Sequence, residues 1–507
     1  MKIKDNNRVG YVMIAFVFCL SRVVFHDFGV RFDSNPLVSY LQFIDPFLLK
    51  NNFLQSIFYL HCQPPLFNLF LGIILKVFPE NYALVFNVIY LLCGIIFAGA
   101  IYTLMLRMKV YKSVAMFLTI TFMISPAVIL YEKWLYYSYP IATLLVLTAL
   151  FLNKYAVSND RRFSVLFFSC LGMIVLINST FHLFWFVLIG VVLVFFKRGY
   201  SKSIILSGLI PLLIIIGVYT KNYFISGSFG TSSTWFGVQV AAMIIPNLNK
   251  HQQELFLKDQ SITHTMLGED PTQQQMESVS NQALKKTTKI PILDLVSKPS
   301  IPQMPNFNSL IILGISKLYL KEALYVLKQD LRLYVIGVIR SCLIYFFPGP
   351  TDVRFDNRKV IAPYENIYNF MFFHLNRINS NELYTAKLFQ THLWNLNRDF
   401  FSSICFALVI GYYILLIIFC CKFIKNLFNS NKNHRFLTML FIFINIIYVS
   451  LISILLGYWA TNRYRFSIDA FYLIIFGVFL THLIKKFKSI LRLNRLKRIV
   501  GSAVNSV

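Results

Sequence analysis

The sequence predicts an all-α, polytopic membrane protein of about 11 to 13 transmembrane helices. Three observations carry that expectation. Of the 507 residues, 57% are hydrophobic and only 14% charged, with a mean hydropathy of +0.62, more apolar sequence than a water-soluble chain of this size uses. The apolar residues recur in runs close to the roughly twenty that carry a helix across a bilayer. Those runs are continuous rather than alternating, which decides for helices over a closed barrel.

In chain order the candidate spans are 10–25, 65–78, 82–106, 113–131, 134–152, 163–177, 181–196, 203–220, 332–347, 401–423, 436–458 and 467–484. The start MKIKDNNR is basic, and the apolar run after it lacks a small-residue cleavage site, so it reads as a retained first span with its N-terminus inside. Segment 65–78 is short for a crossing, short enough to enter and return, and 332–347 is short and carries Arg340. Strict alternation places Arg107, Lys109 and Lys112 outside, whereas the basic connections Lys154–Arg162 and Lys197–Lys202 belong inside, so alternation and the positive-inside rule conflict. The expected organisation is one membrane-embedded domain over 1–484, with external loops 26–63, 221–331 and 348–400 and a basic cytoplasmic tail, 485–507. A multi-pass protein of the cell membrane, most simply a bacterial inner or plasma membrane, fits that layout.

The formal charge of +27 does not point to nucleic acid. Its basic residues sit between spans and in the tail KKFKSILRLNRLKR, which suits anionic headgroups at about 1 kcal/mol per basic residue near the surface, and no basic and aromatic platform stands apart from the spans. Of the eight cysteines, only Cys62 reads as clearly extramembrane, and no pair suggests a disulfide framework or a metal set.

The first loop is the most informative stretch. Asn35-Pro36 and Asp45-Pro46 each join an N-cap residue to proline at the first helical position. After Pro46, Leu49, Phe53, Ile57 and Leu60 recur at helical spacing, which predicts a helix lying in the membrane interface. The loop closes on His61-Cys62-Gln63-Pro64-Pro65. Further on, YEKWLYYSYP interrupts an apolar run at 131–140, with Glu132 and Lys133 either facing a cavity or merely solvated, and its tyrosines and Trp134 reading as an interfacial aromatic belt before a sugar-stacking wall. The region after Lys221-Asn222 begins KNYFISGSFGTSSTWFG and then turns polar and glutamine-rich, with too few apolar residues for a core of its own, and reads as a mobile flap. Leu318–Arg332 is amphipathic again.

Four of these places resemble the GT-C superfamily of polytopic glycosyltransferases, which use a sugar on a polyprenyl phosphate and include protein mannosyltransferases and aminoarabinose transferases. They are the acidic first loop with Asp33 and Asp45, the HCQPPL entry into the next span, the break YEKWLYYSYP, and NRYRFSIDAF at 462–471. The inserted Cys62-Gln63, and serine at 467 where the family has proline, mark a divergent branch. The resemblance implies a glycosyltransferase that takes a polyprenyl-phosphate sugar donor and a glycan, lipid or protein acceptor at the external face, with inversion at the anomeric carbon.

On that reading Asp33 is the general base, since Asn35 already fills the cap before Pro36 and leaves Asp33 without a structural duty. Asp45 is explained by capping. His61 and Gln63 either bind sugar hydroxyls or donor phosphate, or anchor the Pro-Pro turn. Arg463 and Arg465 suit the donor phosphate through paired N–H donors, against pairing with acids such as Asp469. Lys221 and Asn222 assist at the mouth of the cavity, and Glu132 is the next base after Asp33. No metal-ligand set is visible; a divalent cation between Asp33 and the donor phosphate is the one cofactor that hard-cation chemistry would admit. A polysaccharide polymerase or ligase is the nearest alternative enzyme. A lipid flippase is the rival from another class, disfavoured by the absence of internal repeats and of charges along a midplane path.

Overall fold

The computed structural model describes residues 8–263, 266, 288–346, 355–373, 400–429, 433–457 and 461–504. Helix α1 (Arg8–Asp27) leads to a loop holding α2 (Pro36–Ser39), α3 (Pro46–Asn51) and α4 (Phe53–Tyr59), followed by α5 (Pro65–Val77) and the long α6 (Tyr82–Arg107). Helices α7 (Lys112–Met123) and α8 (Pro126–Glu132) form one apolar segment bent by 57°. Then come α9 (Ser138–Ser158), α10 (Arg161–Ile177), α11 (Leu183–Phe196) and α12 (Ser201–Ser226). A peripheral unit follows: α13 (Trp235–Ile244), α14 (Lys250–Lys258), α15 (Pro291–Asp294), the antiparallel pair β1 (Ser297–Lys298) and β2 (Ile301–Pro305), α16 (Leu310–Gln329), α17 (Arg332–Phe346) and α18 (Arg358–Phe373). The last helices are α19 (Phe400–Asn429), α20 (Asn433–Leu456) and α21 (Thr461–Val504).

This is an all-α polytopic membrane protein. Among the described residues seven helices are long and apolar enough to cross a membrane, or eight if the bent pair is one span. Two of the other expected spans, 65–78 and 181–196, form the shorter apolar helices α5 and α11, and 332–347 forms the 15-residue α17. Val9, Phe16 and Val23 on α1 and Ile210, Leu213 and Ile214 on α12 are exposed apolar side chains, as a lipid-facing surface requires, while α9, two-thirds buried, is the central post.

Contacts between helix ends sort the bundle into two ends. At one, Tyr11 bonds Thr103, Arg107 bonds Asn153, Asn153 bonds Thr438, Lys197 bonds the Ala156 carbonyl, and Lys485 and Lys488 lie over the Tyr111 ring. The opposite end holds the first loop and the segments around 132–137, 178–183, 219–234, 306–309 and 461–465. Arg107, Lys109 and Lys112 therefore share the end of the other basic connections, contrary to strict alternation. The physical reason is α5. Its start meets Phe43 and Tyr137, and Phe70 meets Phe86 near the start of α6, so the segment stays at the loop end without crossing.

Three further expectations change. The helix expected after Pro46 breaks at Asn52 (φ −126°) into α3 and α4. Lys221 and Asn222 belong to the last turn and a half of α12 rather than to a loop. The polar stretch after them is partly ordered: α14 carries a reciprocal Asn249/Gln252 capping box and buries Phe256 in a second apolar cluster with Met243, Ile244, Ala323 and Val326. Residues 267–287 of the expected flap lie outside the described residues, as do 347–354 and 374–399 of the third expected loop. The basic tail, finally, continues α21 as one 44-residue helix.

The peripheral unit depends on close helix approach. A Cβ on Gly237 of α13 would stand 1.9 Å from the Ser316 carbonyl oxygen of α16. Gly237→Ala must push the two helices apart, and overpacking of this kind costs about 1–3 kcal/mol. A lower thermal midpoint in detergent than for Gly217→Ala, where nothing lies within 4 Å, is the expected result.

Candidate functional site

Asp33 leaves α1 by way of Gly29, whose φ of +96° suits glycine. Its backbone N–H donates to the Lys133 carbonyl (2.7 Å), and its own carbonyl accepts from Leu135 N–H (2.9 Å). This parallel bridge to Trp134 stitches the first loop to the break between α8 and α9. The carboxylate Oδ1 accepts from Asn35 N–H at 2.9 Å, and Oδ2 is buried without a hydrogen bond of good geometry. Asn35 does not cap α2 as expected. Its backbone is already helical (φ −54°, ψ −32°), and its side chain donates to Asp356 Oδ2 at 2.5 Å. Asp33 thus has a local duty, holding the turn into α2. Burial pushes its carboxyl up to about 6; the neighbouring Asp356 carboxylate adds to the rise, while the Asn35 and Asp356 amides oppose it.

The aromatic residues of 131–139 do not form an interfacial belt. Tyr131, Trp134, Tyr136, Tyr137 and Tyr139 are all buried, because the α8–α9 break folds inward against the first loop. Trp134 packs on Tyr136 (4.6 Å) and Phe355 (4.7 Å), and Tyr40 packs on Tyr136 (4.5 Å). Gln42 Oε1 accepts from the hydroxyls of Tyr136 (2.5 Å) and Tyr137. Arg463, buried near the start of α21, lies 4.9 Å over the Tyr136 ring, also faces the Tyr40 and Tyr464 rings, and donates to the Tyr40 hydroxyl. The Asp33 backbone and the Arg463 guanidinium, from opposite ends of the chain, therefore meet the same aromatic segment.

The remaining sequence candidates are mostly spent on holding the loop. Asp45 caps α3 through Phe47 N–H (2.8 Å), as expected, and also accepts from Ser300 N–H and its hydroxyl. His61 is fully buried, with Nε2 bonded to the Asn308 carbonyl (2.9 Å) and Nδ1 to Ser233 (2.7 Å). A carbonyl only accepts, so Nε2 carries the proton. Burial lowers the ring to about 4, with Lys221 and Lys317 adding to the fall and the Asn308 bond opposing it. A neutral ring with both nitrogens engaged anchors the turn, the blander of its two readings. Gln63 is buried with its Oε1 unpaired. Lys221 donates to the carbonyls of Phe58 and Leu60 (2.7 and 2.6 Å), and Asn222 donates to Gly230. Neither stands at a cavity mouth; both tie α12 to neighbouring turns.

Glu132 is corrected most sharply. It is fully buried and paired with Arg22 of α1 (Nη2 to Oε2, 2.6 Å), with Tyr139 donating to the same oxygen. A carboxylate so compensated is not a spare base, and the segment is not a solvated turn. Arg465 likewise pairs with Asp469 (3.1 Å) and donates to the Tyr345 carbonyl, which leaves Arg463 as the arginine on the aromatic wall.

Arg22, Tyr40, Gln42 and Lys298 were not singled out from sequence. Lys298 donates to the Val38 and Tyr40 carbonyls, clamping α2 from the hairpin; burial lowers its ammonium to about 8. Only Arg22 carried a usable signal, a charge inside an apolar run. Among the described residues no three of His, Cys, Asp or Glu come close enough to hold a metal ion; Asp33 and Asp356 are a pair.

Fold and cluster together define a polytopic membrane protein with a buried, aromatic-walled polar site at one end of its bundle. No known protein family, curated protein or solved structure matches the chain.

Proposed function

We propose that this protein is a membrane glycosyltransferase that moves a sugar from a polyprenyl-phosphate donor to an acceptor hydroxyl at the extracytoplasmic face. One observation carries the reading: Asp33, whose Oδ2 is buried without a hydrogen bond of good geometry, is bridged through its backbone to the segment whose Trp134 and Tyr136 rings lead to Arg463. The basic end of the bundle then faces the cytoplasm, as the positive-inside rule requires, and the loop end faces outward. The acceptor oxygen attacks the anomeric carbon, and its proton passes to Asp33 Oδ2. The anomeric carbon–oxygen bond to phosphate breaks, and the lipid phosphate leaves with the electron pair, its charge met by Arg463. A single displacement inverts the centre.

Arg463→Lys keeps the charge but loses the fork of N–H donors. Apparent affinity for the lipid donor is expected to fall by about tenfold, one charge-assisted bond, while Arg465→Lys, at a residue committed to Asp469, acts mainly on stability. Donor titrations on both variants separate the two. The reading as a whole is tested by mass spectrometry of lipid-linked sugars and surface glycans from cells with and without the protein: one polyprenyl-phosphate sugar should accumulate in its absence. Unchanged glycans and glycolipids would overturn it.

A further inference from the structure

A cavity of about 410 Å³ opens at the loop end, separated from Arg463 by the Tyr464 side chain. It lies within the range of about 300–1,000 Å³ typical of small-molecule sites. Four segments that are far apart in sequence build it: the α10–α11 connection with Thr180 and His182, the stretch 228–239 after α12, Ser316, Lys317 and Leu320 of α16, and the α20–α21 turn with Ile452, Leu456, Gly457 and Tyr464. The middle segment is SFGTSS followed by TWFGVQ, a run of hydroxyls that neither the anchoring of His61 nor the Asp33 cluster explains beyond Ser233.

The charge of the lining is one-sided. Its polar part is serine and threonine hydroxyls, the His182 ring and the Gln239 amide, Leu320, Ile452 and Leu456 supply an apolar side, and among the described residues no aspartate or glutamate lines it. Among those hydroxyls, the buried Thr231 Oγ1 faces Tyr219 without a hydrogen bond of good geometry. Phe229 and Phe236 border the cavity while staying 57% and 48% exposed, apolar faces on which a ring can rest. The fixed charge is Lys317 at the rim, which gives one N–H to the Ser226 carbonyl (2.9 Å) and has two more to offer. A lining with no carboxylate among the described residues does not suit a metal ion or an amine, and hydroxyls facing Leu320, Ile452 and Leu456 suit an amphipathic ring rather than a lipid tail, which would leave them unpaired.

We infer that this cavity binds a sugar bearing an acidic group, its ring hydroxyls on the 228–233 stretch and Gln239, and its carboxylate or phosphate on Lys317. The site stands whether or not Asp33 is a catalytic base; within the transferase reading, its place beside Tyr464 is that of the acceptor. The test is binding, so its failure and that of the transfer reaction are distinguishable. Full-length protein in lipid nanodiscs is titrated by saturation-transfer NMR with glucuronic acid, glucose 6-phosphate, glucose and glucosamine. Both acidic sugars should bind at least tenfold tighter than glucose, and glucosamine weakest; whichever acid is tighter identifies carboxylate or phosphate as the natural group. Lys317→Met should remove about tenfold for the acids and leave glucose unchanged, Lys317→Arg should restore it, and Ser232→Phe should abolish binding by filling the cavity. Wild-type protein that binds none of the four, or binds glucosamine as well as glucuronic acid, overturns the inference without any variant.

Discussion

Asp33→Asn is expected to slow sugar transfer by about 10²- to 10⁴-fold, the usual contribution of a positioned base, while the protein stays folded. Asparagine still offers an oxygen to Asn35 N–H, so the turn into α2 survives. Burial raises the Asp33 carboxyl from 3.8 to about 6, so the folded state holds this proton more tightly than the unfolded chain. Its charged form costs stability above that pH, and the cost fades as pH falls toward the unfolded value. Asp33→Asn should therefore match or exceed the wild-type thermal midpoint at pH 7, with the difference closing near pH 4. Transfer by the wild type runs the other way: it should be full above pH 6 and fall below it as the base is protonated. An active, pH-insensitive Asp33→Asn enzyme would remove Asp33 from the chemistry.

The second large effect is on the fold. Glu132→Gln leaves the Arg22 guanidinium buried without its counter-charge, and breaking a buried pair in this way costs about 3–5 kcal/mol. Because Glu132 lies two residues before Trp134, whose backbone bridges Asp33, loss of the pair should also disorder the site. Detergent-extracted yield and thermal midpoint should both drop, and the double variant Arg22→Met/Glu132→Met should recover most of the loss, since an apolar pair of similar volume carries no desolvation cost. A Glu132→Gln protein as stable as the wild type would show that the pair does not hold this break.

The helical, membrane-spanning character was legible because it rests on composition and run length, both local properties. So was the Asp45 cap, where Asp-Pro specifies its own geometry and Phe47 N–H takes the bond. What the sequence hid was partnership at long range. The Asn35-Pro36 pattern predicts the α2 cap, but the Asn35 side chain reaches Asp356, far along the chain. The pattern of the 131–139 aromatics predicts a belt, because interfacial and interior tyrosines have the same composition; inward folding of the break buries them. Glu132 and Arg22 are each visible as intramembrane charges, but only the packing of α1 beside α8 shows that they cancel. The sidedness conflict over Arg107, Lys109 and Lys112 came from counting α5 as a crossing, and pattern alone cannot distinguish an apolar helix that packs on the loop from one that spans.

The most direct measurement is transfer by the purified protein in lipid nanodiscs, supplied with a radiolabelled polyprenyl-phosphate sugar and an acceptor extract, with release of free polyprenyl phosphate followed over time. The account predicts release and labelled glycan in equal amounts from the wild type, and about 10²- to 10⁴-fold slower release from Asp33→Asn. Donor left intact by the wild type across a panel of lipid-linked sugars, or the same rate from Asp33→Asn, would contradict it.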